Sequence, residues 1–183
     1  MKFSILFVSL ILANEILAQT PEEQRYLDTL RMGGAHVVAR QFPEFELLTA
    51  KGKVYNNASF KGRVTVINFG FQACAPCIAE KAALNNLFED FIIYDRFQFL
   101  YITYDDYKTI NKSIQLHNIK YPVLRTTLDS CSLLNFKQGY PTTMIIDSMG
   151  TVKYCVVGGP VDPLKARKAI LETMYPVLIK ELK

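Results

Sequence analysis

Two cysteines separated by two residues, Cys74 and Cys77, are the side chains in this sequence best equipped for chemistry. A thiolate opens a disulfide by attacking one of its sulfurs, and a second thiol one turn away can then displace whatever the first has captured. The local setting favours that use. A β-branched run, Val64 to Phe69, leads into the pair, and the residues after it, Cys74 to Phe91, carry apolar side chains at Ile78, Ala82, Leu84, Leu87 and Phe91, close to helical spacing. At the start of a helix the Cys74 sulfur faces unpaired backbone N–H groups and the positive end of the dipole, both of which favour a thiolate. Cys74 is therefore read as the attacking nucleophile and Cys77 as the thiol that resolves the mixed disulfide. Pro76 suits a first helical turn, where its missing N–H has no partner to lose. Half of a zinc site is the competing use of such a pair, but zinc needs two further ligands at a matching spacing. Cys131 and Cys155 lie far apart in sequence, and neither belongs to a second Cys-x-x-Cys. No metal and no cofactor are expected.

The surrounding pattern supplies the elements that would hold this pair. Residues around Gly52, between Phe45-Glu46-Leu47 and Val54, suggest a hairpin. Val64 to Phe69 and Phe97 to Thr103 read as strands, Ile110 to His117 as a helix ending before Asn118, and Tyr121 to Leu124 as a short strand. Asp129 or Ser130 can cap a helix running to about Lys137, which Gly139-Tyr140-Pro141 ends. Thr142 to Asp147 and Thr151 to Val157 form a second hairpin through Ser148-Met149-Gly150. Asp162-Pro163 opens a last helix with Leu164, Leu171, Met174 and Leu178 on one stripe and a kink at Pro176. Strand, helix, strand, helix, hairpin and helix describe an α/β fold, a central mixed β-sheet flanked by helices with an N-terminal β-hairpin extension.

The chain has 183 residues, half of them hydrophobic, with a formal charge of +4. That charge is spread along the chain without a basic block, so no nucleic acid partner is expected. Met1 to Ala18 reads as a signal peptide: Lys2 is the positive start, Phe3 to Ala13 the apolar run, and Ala18 a small residue for cleavage. The alternative is an uncleaved membrane anchor, but a span needs about 20 apolar residues, and Asn14 and Glu15 interrupt the run. The expected organisation is a signal peptide at 1–18, an extension at 19–41 with a helix starting at Pro21-Glu22-Glu23, and one domain at 42–183. Four cysteines in an exported chain would meet an oxidising compartment. Cys131 and Cys155 are open to two readings, buried free thiols or a second disulfide.

Phe42-Pro43-Glu44-Phe45-Glu46-Leu47, Asn68-Phe69, Cys74-Ala75-Pro76-Cys77, Glu80 and Gly139-Tyr140-Pro141-Thr142-Thr143 together resemble the TlpA/ResA branch of the thioredoxin superfamily, over about residues 34–159. The resemblance implies a thioredoxin-like fold and thiol-disulfide exchange with protein substrates, served by an upstream dithiol donor such as a membrane electron-transfer protein. It implies a periplasmic, monomeric protein. It also implies a cis bond before Pro141, beside the cysteines, with Tyr140 and Pro141 binding an extended substrate. Asn68 stands where thioredoxin has a buried aspartate, and Glu80, one turn past Cys77, can take over that carboxylate's role as the proton store of Cys77. The sequence departs from the branch at Gly70-Phe71-Gln72-Ala73, where an aromatic-rich run is usual, and it has no tryptophan.

Two other functions on the same fold fit less well. Copper-delivery modules resembling the Sco family pair a wider Cys-x-x-x-Cys with a downstream histidine, whereas this chain has a two-residue spacing and only His36 and His117. A peroxidase would need a lone reactive cysteine in a Thr-x-x-Cys setting, which is absent.

Overall fold

A computed structural model describes residues 20–183. The signal-peptide reading of residues 1–18 lies outside the described residues. Helix α1 (Pro21–Gly34) and a short 3-10 turn (Ala35–Val37) precede strands β1 (Glu46–Thr49), β2 (Val54–Asn56) and β3 (Val64–Phe69). Then come α2 (Ala75–Phe91), β4 (Phe97–Thr103), α3 (Tyr107–His117), β5 (Val123–Arg125) and α4 (Leu128–Leu134). Strands β6 (Thr142–Ile146) and β7 (Val152–Val157) and helices α5 (Pro163–Thr173) and α6 (Tyr175–Leu182) complete the chain. The seven strands form one sheet in the order β2-β1-β5-β4-β3-β6-β7. Pairing of β3 with β4 and β4 with β5 is parallel, and the other pairings are antiparallel, so the sheet is mixed. The β1–β2 hairpin, with Gly52 at φ +80°, joins this sheet through β5. Among the described residues no helix is long and apolar enough to cross a membrane.

Strand β3 is buried along its whole length, as expected of a strand covered on both faces. Ile67 and Phe69 point to one core, with Phe42, Phe60, Leu100, Ile102 and Met144. Val64 and Val66 point to the other, with Leu84, Leu87, Phe91, Phe99, Ile145, Met174 and Leu178. Asn68 continues the second row, and it is paired in register with Tyr101 of β4 and Thr143 of β6. That row is apolar along most of the sheet and turns polar at the strand ends, directly beneath the start of α2.

The segment ahead of β1 is built into the sheet's far edge. Ala39 and Val152 are tied by backbone hydrogen bonds, Ala39 N–H to Val152 O and Val152 N–H to Arg40 O, and Gln41 bridges Thr151. A side chain at Gly34 would put its Cβ 2.5 Å from the Cys155 carbonyl oxygen, so glycine is what lets α1 lie against β7.

Several elements differ from the sequence pattern for identifiable reasons. The short strand starts at Val123, because Pro122 has no N–H for a ladder, although its carbonyl accepts from Tyr101 N–H. Helix α4 is capped by Thr127, whose hydroxyl accepts from Ser130 N–H, and it ends at Leu134 before two left-handed residues, Phe136 and Lys137. The last helix is two helices meeting at Met174, since Pro176 cannot donate to the carbonyl four residues back and its ring clashes there. Of its expected stripe, Met174 and Leu178 face inward as expected, but Leu164 is 76% exposed and Leu171 is exposed, and Ala166 and Ile170 take their place against the core.

Candidate active site

Cys74 and Cys77 form a disulfide with their Cα atoms 5.2 Å apart. Cys74 is the N-cap of α2, its sulfur accepting from Cys77 N–H at 3.3 Å, and Pro76 occupies the first turn. Cys74 keeps 7% exposure and Cys77 none, so only the first sulfur can be reached by a large molecule. The strand-to-helix turn that presents them requires Gly70: a Cβ there would lie 2.5 Å from the Tyr101 hydroxyl and 3.2 Å from the Cys77 sulfur. Gly70 N–H donates to Ile102 O, which anchors the turn to β4.

Glu80 is buried, one turn along α2 from Cys77. Its Oε1 accepts from Asn68 Nδ2 at 2.8 Å, and the same amide group donates to Thr143 Oγ1 at 2.8 Å. Burial pushes the Glu80 carboxyl up to about 8, against the opposing pull of the Asn68 hydrogen bond and the Lys81 charge. At neutral pH the group is then mostly protonated, with an ionisation close enough to neutrality to exchange a proton with a thiol. Asn68 Oδ1 and the Tyr121 hydroxyl are buried without protein partners in the same region. Burial, reinforced by the nearby Glu80 carboxyl, holds the Tyr101 and Tyr121 hydroxyls protonated.

The Tyr140–Pro141 bond is cis. Gly159 lies between Pro141 and Pro76: a Cβ built on it would be 3.6 Å from the Pro141 ring and 4.0 Å from Pro76 Cβ, so the proline loop and the cysteine turn adjoin. Tyr140 packs edge-on against Phe71 at 5.4 Å, and Phe71 lies tilted on Tyr104 at 5.1 Å. These three rings form an aromatic wall supplied partly by the Gly70-Phe71-Gln72-Ala73 turn. The Tyr140 hydroxyl sits beside the Cys131 thiol, and burial pushes both groups toward their neutral forms. Cys131 and Cys155 are both free and buried, and burial pushes the Cys155 thiol up to about 12, which leaves it inert.

Lys81, Gln72 and Asp105 also belong to the site, although sequence periodicity did not single them out. Lys81 Nζ donates to Gln72 Oε1 at 2.9 Å and to Ser113 Oγ at 2.7 Å, while Gln72 N–H donates to Asp105 Oδ2 at 2.8 Å. A charged pair inside a helix ordinarily reads as its solvated face; here Ile78 and Ala82 are exposed and Glu80 and Lys81 are buried. The histidines lie apart from the cysteines in their contacts: His36 meets Gln138, and His117 ends α3 near Lys81. Among the described residues no group of three or more His, Cys, Asp or Glu side chains is placed to hold a metal ion.

Comparison with known proteins agrees with this geometry. Residues 38–155 match the AhpC/TSA family. The chain is 30% identical over 128 residues to the thiol:disulfide interchange protein DsbE of Vibrio cholerae, a match that covers 67% of this chain and 66% of that one. It is 24% identical over 123 residues to the thioredoxin-like protein YneN of Bacillus subtilis, covering 65% of this chain and 71% of that one. The crystal structure of a Chlorobium tepidum protein assigned as a thiol:disulfide interchange protein DsbE superposes with a TM-score of 0.67 at 21% identity, over 80% of this chain and 98% of that one, which shows a common fold. With a thioredoxin-like fold and a Cys-x-x-Cys disulfide at the head of α2, the chain belongs to the AhpC/TSA family, among its thioredoxin-like thiol-disulfide oxidoreductases of the TlpA/ResA type.

Proposed function

We propose that this chain is an exported, monomeric oxidoreductase that reduces disulfides in protein substrates through Cys74 and Cys77. The observation that carries the proposal is the asymmetry of the pair: Cys74 is reachable at the helix start, and Cys77 is sealed inside, one helical turn from a buried, protonatable carboxyl. In the reduced protein the Cys74 thiolate attacks one sulfur of a substrate disulfide. That bond breaks, a Cys74–substrate disulfide forms, and the other substrate sulfur leaves as a thiolate and takes a proton. Cys77 then passes its proton to ionised Glu80 and attacks the Cys74 sulfur, re-forming the Cys74–Cys77 bond and expelling the second substrate thiolate. Two electrons move from the protein dithiol to the substrate, and an upstream dithiol donor returns them. The aromatic wall and the backbone around Tyr140 and Pro141 form the platform on which an extended substrate segment lies.

Export rests on the Met1–Ala18 pattern and places the mature chain in the periplasm, with its first residue at Gln19. An intact mass showing the full-length chain in the membrane fraction would instead establish the anchored form. The reaction is tested by substituting each cysteine. Cys77→Ser should accumulate substrates as mixed disulfides, which can be captured in the periplasm and identified by mass spectrometry, while Cys74→Ser should abolish both capture and turnover. Faster alkylation of Cys77 than of Cys74 in the reduced protein would reverse the assigned roles.

A further inference from the structure

We propose that Lys81 is a positioning residue for the exchange reaction: its buried ammonium supplies the charge that lets the neighbouring Glu80 carboxylate form, and its hydrogen bond to Gln72 holds the turn that delivers Cys74. The inference rests on the exchange reaction proposed above and adds a residue to it. Lys81 is 2% exposed, an unusual place for an ammonium, because burying a charge is costly unless it is hydrogen-bonded and compensated. A Leu or Met would fill the same space between α2 and α3 at no such cost. The compensation is specific. Nζ donates to Gln72 in the turn before Cys74 and to Ser113 on α3. Gln72 is in turn fixed through its backbone N–H to Asp105, whose Oδ2 also accepts from Thr103 Oγ1 at 3.0 Å. One cation thus ties the cysteine turn, the end of β4 and two helices together.

Adjacent residues on a helix point about 100° apart at 3.6 residues per turn, so Lys81 and Glu80 diverge from one backbone site. Glu80 faces Asn68 and Thr143, and Lys81 faces the turn and α3. They act on each other through the low-dielectric interior rather than by contact. The groups facing Glu80 are Asn68 of β3, Tyr101 of β4, Tyr121 ahead of β5 and Thr143 of β6, with Cys77 one turn back; from α5 come Ala166, Ile170 and Thr173, which share a small cavity with it. Those facing Lys81 are Asp105 from the β4–α3 connection, His117 and Ser113 from α3, and Gln72. Lys81 is the cation that acts on the Glu80 carboxyl in this set, and Asp105 and Glu80 together favour its charged form against burial. Glu80 must be ionised to take the Cys77 proton. Removing the cation therefore shrinks further the ionised fraction of Glu80 that is available at neutral pH to accept the proton of the release step.

Three variants separate charge from packing: Lys81→Met removes charge and hydrogen bonds, Lys81→Gln keeps a donor without charge, and Lys81→Arg keeps the charge. The first measurement is the single-turnover rate at which the reduced protein reduces insulin disulfides, from pH 5.5 to 9.5. The rising limb assigned to Glu80 should move up by about one pH unit in Lys81→Met and Lys81→Gln, roughly a tenfold loss at neutral pH, and return toward the wild-type position in Lys81→Arg. In a Glu80→Gln background the Lys81→Met substitution should move no such limb. The second measurement needs no activity: the Glu80 carboxyl titration, followed by carbon NMR in the oxidised protein, should shift upward in both neutral variants. Unshifted Glu80 titrations in the folded Lys81→Gln protein would overturn the inference, as would pH profiles that keep the wild-type midpoint. A wild-type protein that reduces no protein disulfide would instead overturn the proposed function, while the carboxyl titration would still decide the electrostatic role of Lys81.

Discussion

Replacing Glu80 by glutamine should remove a large pH dependence from the stability of the oxidised protein. The carboxyl ionises near 4.5 in its ordinary state and near 8 in the folded chain, because burial beside Asn68 disfavours the anion. Between those two values the folded state holds a proton that the unfolded state has released, so stability falls as pH rises. It is fully present below about pH 4.5 and is lost as pH rises toward about 8, at about 1.4 kcal/mol per pH unit. Over this window of about 3.5 units the loss comes to roughly 5 kcal/mol. The substituted glutamine has no such proton to lose, and its side-chain oxygen can still accept from Asn68 Nδ2. Urea unfolding of the wild-type and Glu80→Gln proteins, both oxidised, at intervals from pH 5 to 9 isolates the effect, because titrations common to both, including His117, cancel in the difference. Urea is preferred to guanidinium, which would screen the Lys81 charge. The wild type should lose stability relative to the variant steadily as pH rises. Two curves that run parallel to within about 1 kcal/mol across this range would refute the reasoning and place Glu80 in contact with water, since a solvated carboxyl finishes titrating below about pH 6.

The geometry carries two further expected outcomes. The dithiol should equilibrate with glutathione at a potential more negative than roughly −180 mV, near that of an isomerase. The helix start favours the Cys74 thiolate, but Ala75-Pro76 brings no cation between the sulfurs, and Glu80, when ionised, opposes a nearby anion; a more positive value would show that other groups stabilise the reduced form. Gly34→Ala should cost roughly 1–3 kcal/mol, as overpacking does, because the new Cβ would fall 2.5 Å from a backbone oxygen of β7 that cannot move aside. Chemical denaturation reads this directly, and unchanged stability would mean that α1 is not seated on β7 as described.

The Cys-x-x-Cys pair, the strand before it, the helix after it and the loop at Pro141 could all be read from the sequence, because each is encoded by neighbours in the chain: turn glycines, capping residues, β-branched runs. Asn118 ends α3 and Asp162-Pro163 opens α5 for the same local reason. What the sequence pattern misplaced were the faces of helices. Ile78 and Ala82 looked like core and face solvent, and Leu164 and Leu171 likewise, while Lys81, which the pattern did not single out, is buried beside Glu80. Periodicity records only that one side of a helix is more apolar. Which side lies against the sheet is decided by what the sheet offers, and at its polar end, where Asn68, Tyr101 and Thr143 sit side by side, it offers hydrogen bonds to a carboxyl rather than a surface for leucine. The strands that create that polar end come from residues up to 75 apart in the chain, as Asn68 and Thr143 are. No local pattern registers their meeting, so the reactive pair was legible in the sequence and Glu80 through the resemblance, while the burial of Lys81 and its ties to Gln72 and Ser113 were settled only when the strands and helices came together.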